Sequence, residues 1–249
     1  MAATTADGCR PHAKTTKKHL QKSMEIKPIA HFRSPFATKF GIPRQSGIVP
    51  QLRGRIIMEP QYASAEALRG LDGFDYLWLV WGFSANAGAP VHLTVRPPRL
   101  GGNARMGVFA TRSPFRPNGL GLSSVRLEGI SVDTAEGAVI TVSGADLMDG
   151  TPIYDIKPYV AFTDSHAAAR SGFADTERWG TLKVEYDKET LGCMDGAEAE
   201  ALLRVLEQDP RPQYHDDPQR IYGMPYGQWD VRFRVADGIL TIVEIVGSR

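Results

Sequence analysis

Residues 119–143 read GLGLSSVRLEGISVDTAEGAVITVS, and the choice between a nucleotide-binding α/β sheet and an all-β fold turns on them. Gly119-Leu120-Gly121 offers the first two glycines of a dinucleotide loop, but Ser124 stands where the third is required and no helical pattern follows. Instead Val125, Leu127, Ile130 and Val132 mark an extended run, and Val139-Ile140-Thr141-Val142 is densely β-branched. Strands are therefore expected over residues 122–132 and 138–143.

Outward from this pair the same rhythm continues. Short apolar runs broken by Gly, Pro and Asn predict strands at 27–33, 53–59, 75–83, 91–96 and 106–112. A short helix is expected at 64–71, where Ser64 can cap and Glu66 lies in the first turn. Helices of crossover length do not alternate with these strands, which disfavours a parallel doubly wound sheet. The expected class is mainly β, with a closed β-barrel over residues 25–164.

After the barrel the character changes. Residues 165–179 are small, polar and irregular, and read as a linker or loop. Residues 180–249 read as a small α+β domain with a strand at 182–186 and closing strands at 229–235 and 240–246. Its helix, at 196–208, puts Ala201, Leu202, Val205 and Leu206 on one stripe and ends at Asp209-Pro210. Asp237-Gly238 supplies the turn between the closing strands. Residues 1–24, with Lys14, Lys17, Lys18 and Lys22, are expected to form a disordered basic tail.

The chain has 249 residues and a formal net charge of +1, so its overall charge does not point to nucleic acid. Distribution says more. No acid falls between Asp75 and Glu128, a stretch that carries Arg96, Arg99, Arg105, Arg112, Arg116 and Arg126. Such a cationic middle suits an anionic partner. No run approaches the ~20 apolar residues of a membrane-spanning helix. The two cysteines, Cys9 and Cys193, stand alone, and the six histidines are scattered. Hence neither a disulfide framework nor a metal site is expected, and a reducing cytoplasm is.

Two segments could carry chemistry. The basic loop holds Arg112, Arg116 and Asn118 between Pro114 and Pro117, which limit its freedom, so its arginines read as an anion or cofactor clamp. Farther on, Asp155, Lys157 and Tyr159 alternate along an extended run and share one face. They could hold a polar substrate or manage a proton, or Asp155 and Lys157 could simply pair at the strand end. Near the C-terminus, Arg211 and Tyr214 in DPRPQY (209–214), and Arg220, sit in expected turns where they could grip RNA or cap the small domain.

The strings Phe40-Gly41-Ile42-Pro43-Arg44-Gln45, Arg96-Pro97-Pro98-Arg99-Leu100-Gly101-Gly102-Asn103, Gly107-Val108-Phe109-Ala110-Thr111-Arg112 and Asp155-Ile156-Lys157-Pro158-Tyr159 resemble the TrmO/YaeB family of tRNA adenine N6-methyltransferases. The resemblance covers residues 26–162 and the DPRPQY segment. It implies a barrel-type, S-adenosylmethionine-dependent homodimer acting on the threonylcarbamoylated adenosine 3′ of the anticodon, notably in threonine tRNA. It further implies cofactor contacts at Ser46, Gly47, Ile48, Phe83, Ser84, Ala85, Arg112, Leu122, Ser143, Gly144, Ala145 and Asp146. The substrate side would take Arg116, Asn118, Lys157, Arg211, Tyr214 and Arg220, with Asp155 and Tyr159 as candidates for proton removal and orientation. Two residues depart from the family pattern: Gly119 replaces a usual proline and Ser84 a frequent histidine. A non-catalytic RNA-binding barrel, and a methyltransferase for another small acceptor, are the alternatives that remain open from sequence.

Overall fold

The computed structural model describes residues 24–97, 100, 104–176, 180–212 and 217–247. The expected basic tail lies outside these residues, apart from Met24.

Six strands close into an antiparallel barrel in the order β1-β2-β7-β6-β3-β8. They are β1 (Ala30–Arg33), β2 (Arg53–Met58), β3 (Tyr76–Gly82), β6 (Leu120–Thr134), β7 (Gly137–Ser143) and β8 (Pro152–Pro158). Alternation builds the interior: Gly54, Ile56 and Met58 of β2 point inward while Arg53 and Arg55 point out. Phe32, Ile56, Leu77, Leu79, Trp81, Val125, Ile140, Val142 and Ile153 fill the barrel. Glycine sets how closely this core closes: a Cβ on Gly54 would meet the Phe32 ring at 2.2 Å, and one on Gly121 would meet the Trp81 ring at 2.3 Å.

The opening pair of strands is confirmed and lengthened, since β6 and β7 form one hairpin whose turn takes positive φ at Asp133 and Gly137. Two expected strands shrink. Residues 91–96 and 106–112 yield only the two-residue strands β4 (Thr94–Val95) and β5 (Met106–Gly107), after which Val108–Ala110 forms a 3-10 turn. The predicted helix is a single turn, α1 (Ala65–Leu68), capped by the Ser64 side chain.

Short helices α2 (Ala161–Asp164) and α3 (Phe173–Thr176) punctuate the stretch beyond the barrel. Beyond them a four-stranded sheet runs β10 (Tyr222–Tyr226), β11 (Trp229–Ala236), β12 (Ile239–Gly247), β9 (Lys183–Glu185), with helix α4 (Gly196–Glu207) supplying Leu202, Val205 and Leu206 to its core. Asp195 caps α4 by accepting from the N–H groups of Ala197 and Glu198. The β11–β12 turn has positive φ at Asp237 and Gly238, as the Asp-Gly pair predicts.

Arg220 closes a turn, its N–H donating to the Asp217 carbonyl at 3.2 Å, but Tyr222 and Gly223, whose sequence also reads as a turn, belong to β10. Tyr222, Met224 and Tyr226 alternate into the core, while Pro225 is tolerated because β10 is an edge strand. The second core is also not confined to residues 180–249. Phe36, Val49 and Leu52, from the segment joining β1 to β2, are buried in it. At about 1.5–3 kcal/mol per fully buried large apolar side chain, this insertion couples the barrel to the C-terminal sheet.

Candidate functional site

The segment inserted into the C-terminal domain returns to the barrel as a loop that touches the end of β7. The Gly47 N–H donates to the Gly144 carbonyl at 2.8 Å, and the Gly144 N–H to the Leu52 carbonyl at 2.9 Å. Both glycines have positive φ, 81° and 74°, which lets the two turns lie against each other. Two residues on, Asp146 is half-buried and accepts from the Ser46 backbone N–H of the same loop.

Asp146 gathers polar groups from four separate parts of the chain. Its carboxylate accepts from the Ser123 hydroxyl at 2.5 Å, and the Trp81 Nε1–H donates to that same hydroxyl oxygen at 2.9 Å. Burial raises the Asp146 carboxyl above the ordinary carboxylate range. The Ser123 hydroxyl, backbone N–H groups at Asp146 and Ser46, and the Arg112 cation pull the other way. Arg112 is exposed and anchored at one point, where Nη1 donates to the Gln45 side-chain oxygen. Gln45 donates in turn to the Arg44 carbonyl, and Arg44 Nη2 reaches the Asp209 carbonyl at 3.1 Å.

Ser46, Gly47, Arg112, Gly144 and Asp146 thus converge at one end of the barrel. Phe83 belongs to the same end, its ring edge-on to Trp81 at 4.4 Å between centroids. Other residues of the expected cofactor set face elsewhere. Ala145 lies in the barrel core and Ile48 packs on the second core. Ser143 donates from its hydroxyl to Glu128 at 2.7 Å, and Ser84 and Ala85 form an exposed 3-10 turn. Leu122 is 54% exposed on the outer wall, opposite the face that Ser123 presents to Asp146. Gly119 has φ +58°, a conformation that proline, fixed near −65°, cannot take, so the turn here is built differently from a proline-containing one.

Asp155, Lys157 and Tyr159 do share one face, the outside of β8. Asp155 and Lys157 form an exposed ion pair at 3.1 Å, and Tyr159 packs against Tyr76 and Trp78. Val80 of β3 stands between Asp155 and Leu122 in register. Arg116 folds back onto the Thr111 carbonyl at 3.2 Å, fastening the basic loop, while Asn118 is exposed. Arg211 is held by both oxygens of Asp209 with its side chain 15% exposed, and Arg220 lies over the Tyr222 ring at 5.2 Å. Tyr214 lies outside the described residues. Sequence reasoning missed Gln45, Ser123 and Trp81. The one available signal was Gly121, a glycine inside a strand, which marks the close approach of the Trp81 ring.

Chemically the site offers a guanidinium for an anion, a carboxylate of raised proton affinity for a cation or hydroxyl, and glycine turns that let a ligand approach the backbone. Among the described residues there is no cluster of three His, Cys, Asp or Glu side chains that could hold a metal ion, and no helix long and apolar enough to cross a membrane.

The chain is similar to known methyltransferases over most of its length. The chain is 38% identical over 223 residues to the tRNA (adenine(37)-N6)-methyltransferase of Escherichia coli, covering 86% of this chain and 94% of that one. It is 39% identical over 232 residues to a Pseudomonas aeruginosa protein designated an S-adenosylmethionine-dependent methyltransferase, covering 90% and 98%. The crystal structure of TrmO from Pseudomonas aeruginosa superposes with a TM-score of 0.72 at 34% identity, covering 90% of this chain and all (100%) of that one. These relatives define the class, a methyltransferase that uses S-adenosylmethionine, here on a β-barrel rather than on an α/β sheet. The chain belongs to the tRNA-methyltransferase O family, whose N-terminal domain matches residues 31–165 and whose C-terminal domain matches residues 181–248.

The site fits that cofactor by its donor set. Arg112 suits the carboxylate of the methionine moiety, and Asp146 suits its cationic or hydroxyl groups.

Proposed function

We propose that the chain methylates N6 of threonylcarbamoyladenosine next to the anticodon of tRNA, threonine tRNA foremost, and that it works in the cytoplasm as a homodimer. The convergence of Arg112, Asp146 and the Gly47–Gly144 crossing carries this reading, because it supplies a cofactor site at a barrel end flanked by the basic loop. Relatives named tRNA (adenine(37)-N6)-methyltransferase supply the position and the atom, including one from Eikenella corrodens at 43% identity over 173 residues.

The cofactor brings an activated methyl group on its sulfonium, so the chain's own work is alignment of the acceptor nitrogen. That nitrogen is urea-like and must lose its proton. Asp155, with Lys157 beside it, is the carboxylate we assign to this, with Tyr159 for orientation; Arg116, Asn118 and Arg220 face the RNA, and Lys157 the threonyl carboxylate. Arg211, fixed on Asp209, positions the turn that Arg44 ties to the cofactor loop. Nucleoside analysis of threonine tRNA, with and without the threonylcarbamoyl group, tests the assignment. Methylated threonylcarbamoyladenosine is expected from the first alone; methylation of unmodified tRNA to the same extent would overturn it.

A further inference from the structure

The outer wall of the barrel carries a cleft that the cofactor site does not use. It has a volume of about 370 Å³ and is lined by Arg33, Arg53, Arg55, Ser34 and Thr141 over a floor at Gly54. Sheet register places the charges together: Arg33 of β1 stands directly opposite Arg55 of β2, and Arg53 lies two residues along the same face of β2. Like charges opposed across a sheet are unfavourable by themselves. Two carboxylates outside the lining offset part of this, Asp149 on Arg33 at 3.3 Å and Glu136 on Arg55. Arg53 is exposed and has no ion pair among the described residues, so one positive charge of the three stays uncompensated.

The polar groups of the wall, set beside Pro35 and the arginine stems, are therefore donors. Two guanidinium groups are held in place by carboxylates on the rim, a third is free, and the Ser34 and Thr141 hydroxyls can donate beside them. Ser34 Oγ already accepts from the Phe36 N–H, which leaves its own hydrogen for a ligand. No carboxylate lines the cleft. Such a set recognises a tetrahedral oxyanion through charge-assisted hydrogen bonds.

Position identifies the source of that anion. Leu52, next to Arg53, accepts the hydrogen bond from Gly144, and Arg53 itself pairs in register with Ser143, three residues before Asp146. Arg53 thus stands one residue from the hydrogen bond that holds the Gly144 turn, at the barrel end that carries Asp146. Asp149, which anchors Arg33, belongs to the same β7–β8 connection as Asp146. We infer that the Arg33–Arg53–Arg55 cleft holds a backbone phosphate of the tRNA substrate and fixes the strand beside the methyl-transfer site. The inference rests on the tRNA methyltransferase reading.

Salt-dependent tRNA binding by the full chain tests it. Arg53→Ala removes an exposed side chain without a partner and should weaken tRNA affinity about 5- to 10-fold. The slope of log K against log salt should shrink by about 0.7–0.9, the value for one lost phosphate contact. Arg53→Lys should recover most of the slope, the loss should fall on KM for tRNA, and calorimetric affinity for S-adenosylmethionine should not change. An unchanged affinity and slope in Arg53→Ala, while the wild type methylates tRNA, overturns the cleft assignment alone. Absence of tRNA binding by the wild type overturns both readings. Thermal stabilisation by inorganic phosphate that Arg53→Ala abolishes, with tRNA affinity intact, assigns the cleft to a free anion and overturns the RNA contact.

Discussion

At the scale of the residue, Asp146 is where environment and chemistry meet. Burial raises its proton affinity, while Ser123, two backbone N–H groups and Arg112 hold the ionised form against it. The ionised form is the one that attracts a cation, so cofactor affinity should fall as pH drops through the Asp146 pKa. Because that pKa is raised, the fall should begin at a higher pH than an exposed aspartate would give. Calorimetry across the acidic range reads this, and Asp146→Asn should flatten the profile; an equal slope in the variant would remove Asp146 from cofactor binding. The free chain should show the converse in stability. Between the ordinary carboxylate pKa and the raised one, the folded state binds more protons than the unfolded state. Stability therefore decreases as pH rises through that window and is level above it, and urea unfolding of wild type against Asp146→Asn should show this component disappear.

At the scale of the element, the strands explain why some of this could be read in advance and some could not. The β6–β7 pair, α4 and the Asp237-Gly238 turn were legible because each is specified locally, by periodicity, capping or positive φ. β10 was hidden, since Gly223 and Pro225 are turn signals and only its edge position makes them acceptable. The site was legible through resemblance, and Arg112 through its basic loop, but its assembly was not. Ser46, Arg112, Ser123 and Asp146 are brought together by register and by glycine crossings, neither of which leaves a local pattern. Resemblance supplied Leu122, whose side chain points outward, while its neighbour Ser123 bonds to Asp146. Gly121 shows how tightly strand geometry constrains the site. Gly121→Ala would place a methyl 2.3 Å from the Trp81 ring and displace the donor that orients Ser123. We expect about 1–3 kcal/mol of destabilisation in urea, the usual cost of overpacking a filled core. It should come with weaker cofactor binding. A variant of wild-type stability would mean that the ring has room to move.

At the scale of the whole molecule, the barrel and the four-stranded sheet each have a core, and the segment between β1 and β2 links them. Phe36, Val49 and Leu52 leave the barrel sequence to complete the C-terminal core, and the cofactor loop at 44–48 lies between them. Arg44 secures that loop to Asp209 from the far side. Unfolding should therefore be a single transition. Trp78 and Trp81 report on the barrel and Trp229 on the C-terminal sheet, so urea curves for the wild type and for the double variant Trp179→Phe/Trp229→Phe, whose only tryptophans are the barrel pair, should match the transition seen by circular dichroism. Separate midpoints for the two parts would contradict the coupling. The most direct measurement of the central claim is transfer of labelled methyl from S-adenosylmethionine to tRNA, run side by side for the wild type and Arg112→Ala. The wild type should label tRNA, and the variant should do so only at a cofactor KM raised about tenfold or more, as expected for loss of a charge-assisted contact worth about 1.5–3 kcal/mol. No labelling by the wild type, or an unchanged cofactor KM in Arg112→Ala, would contradict it.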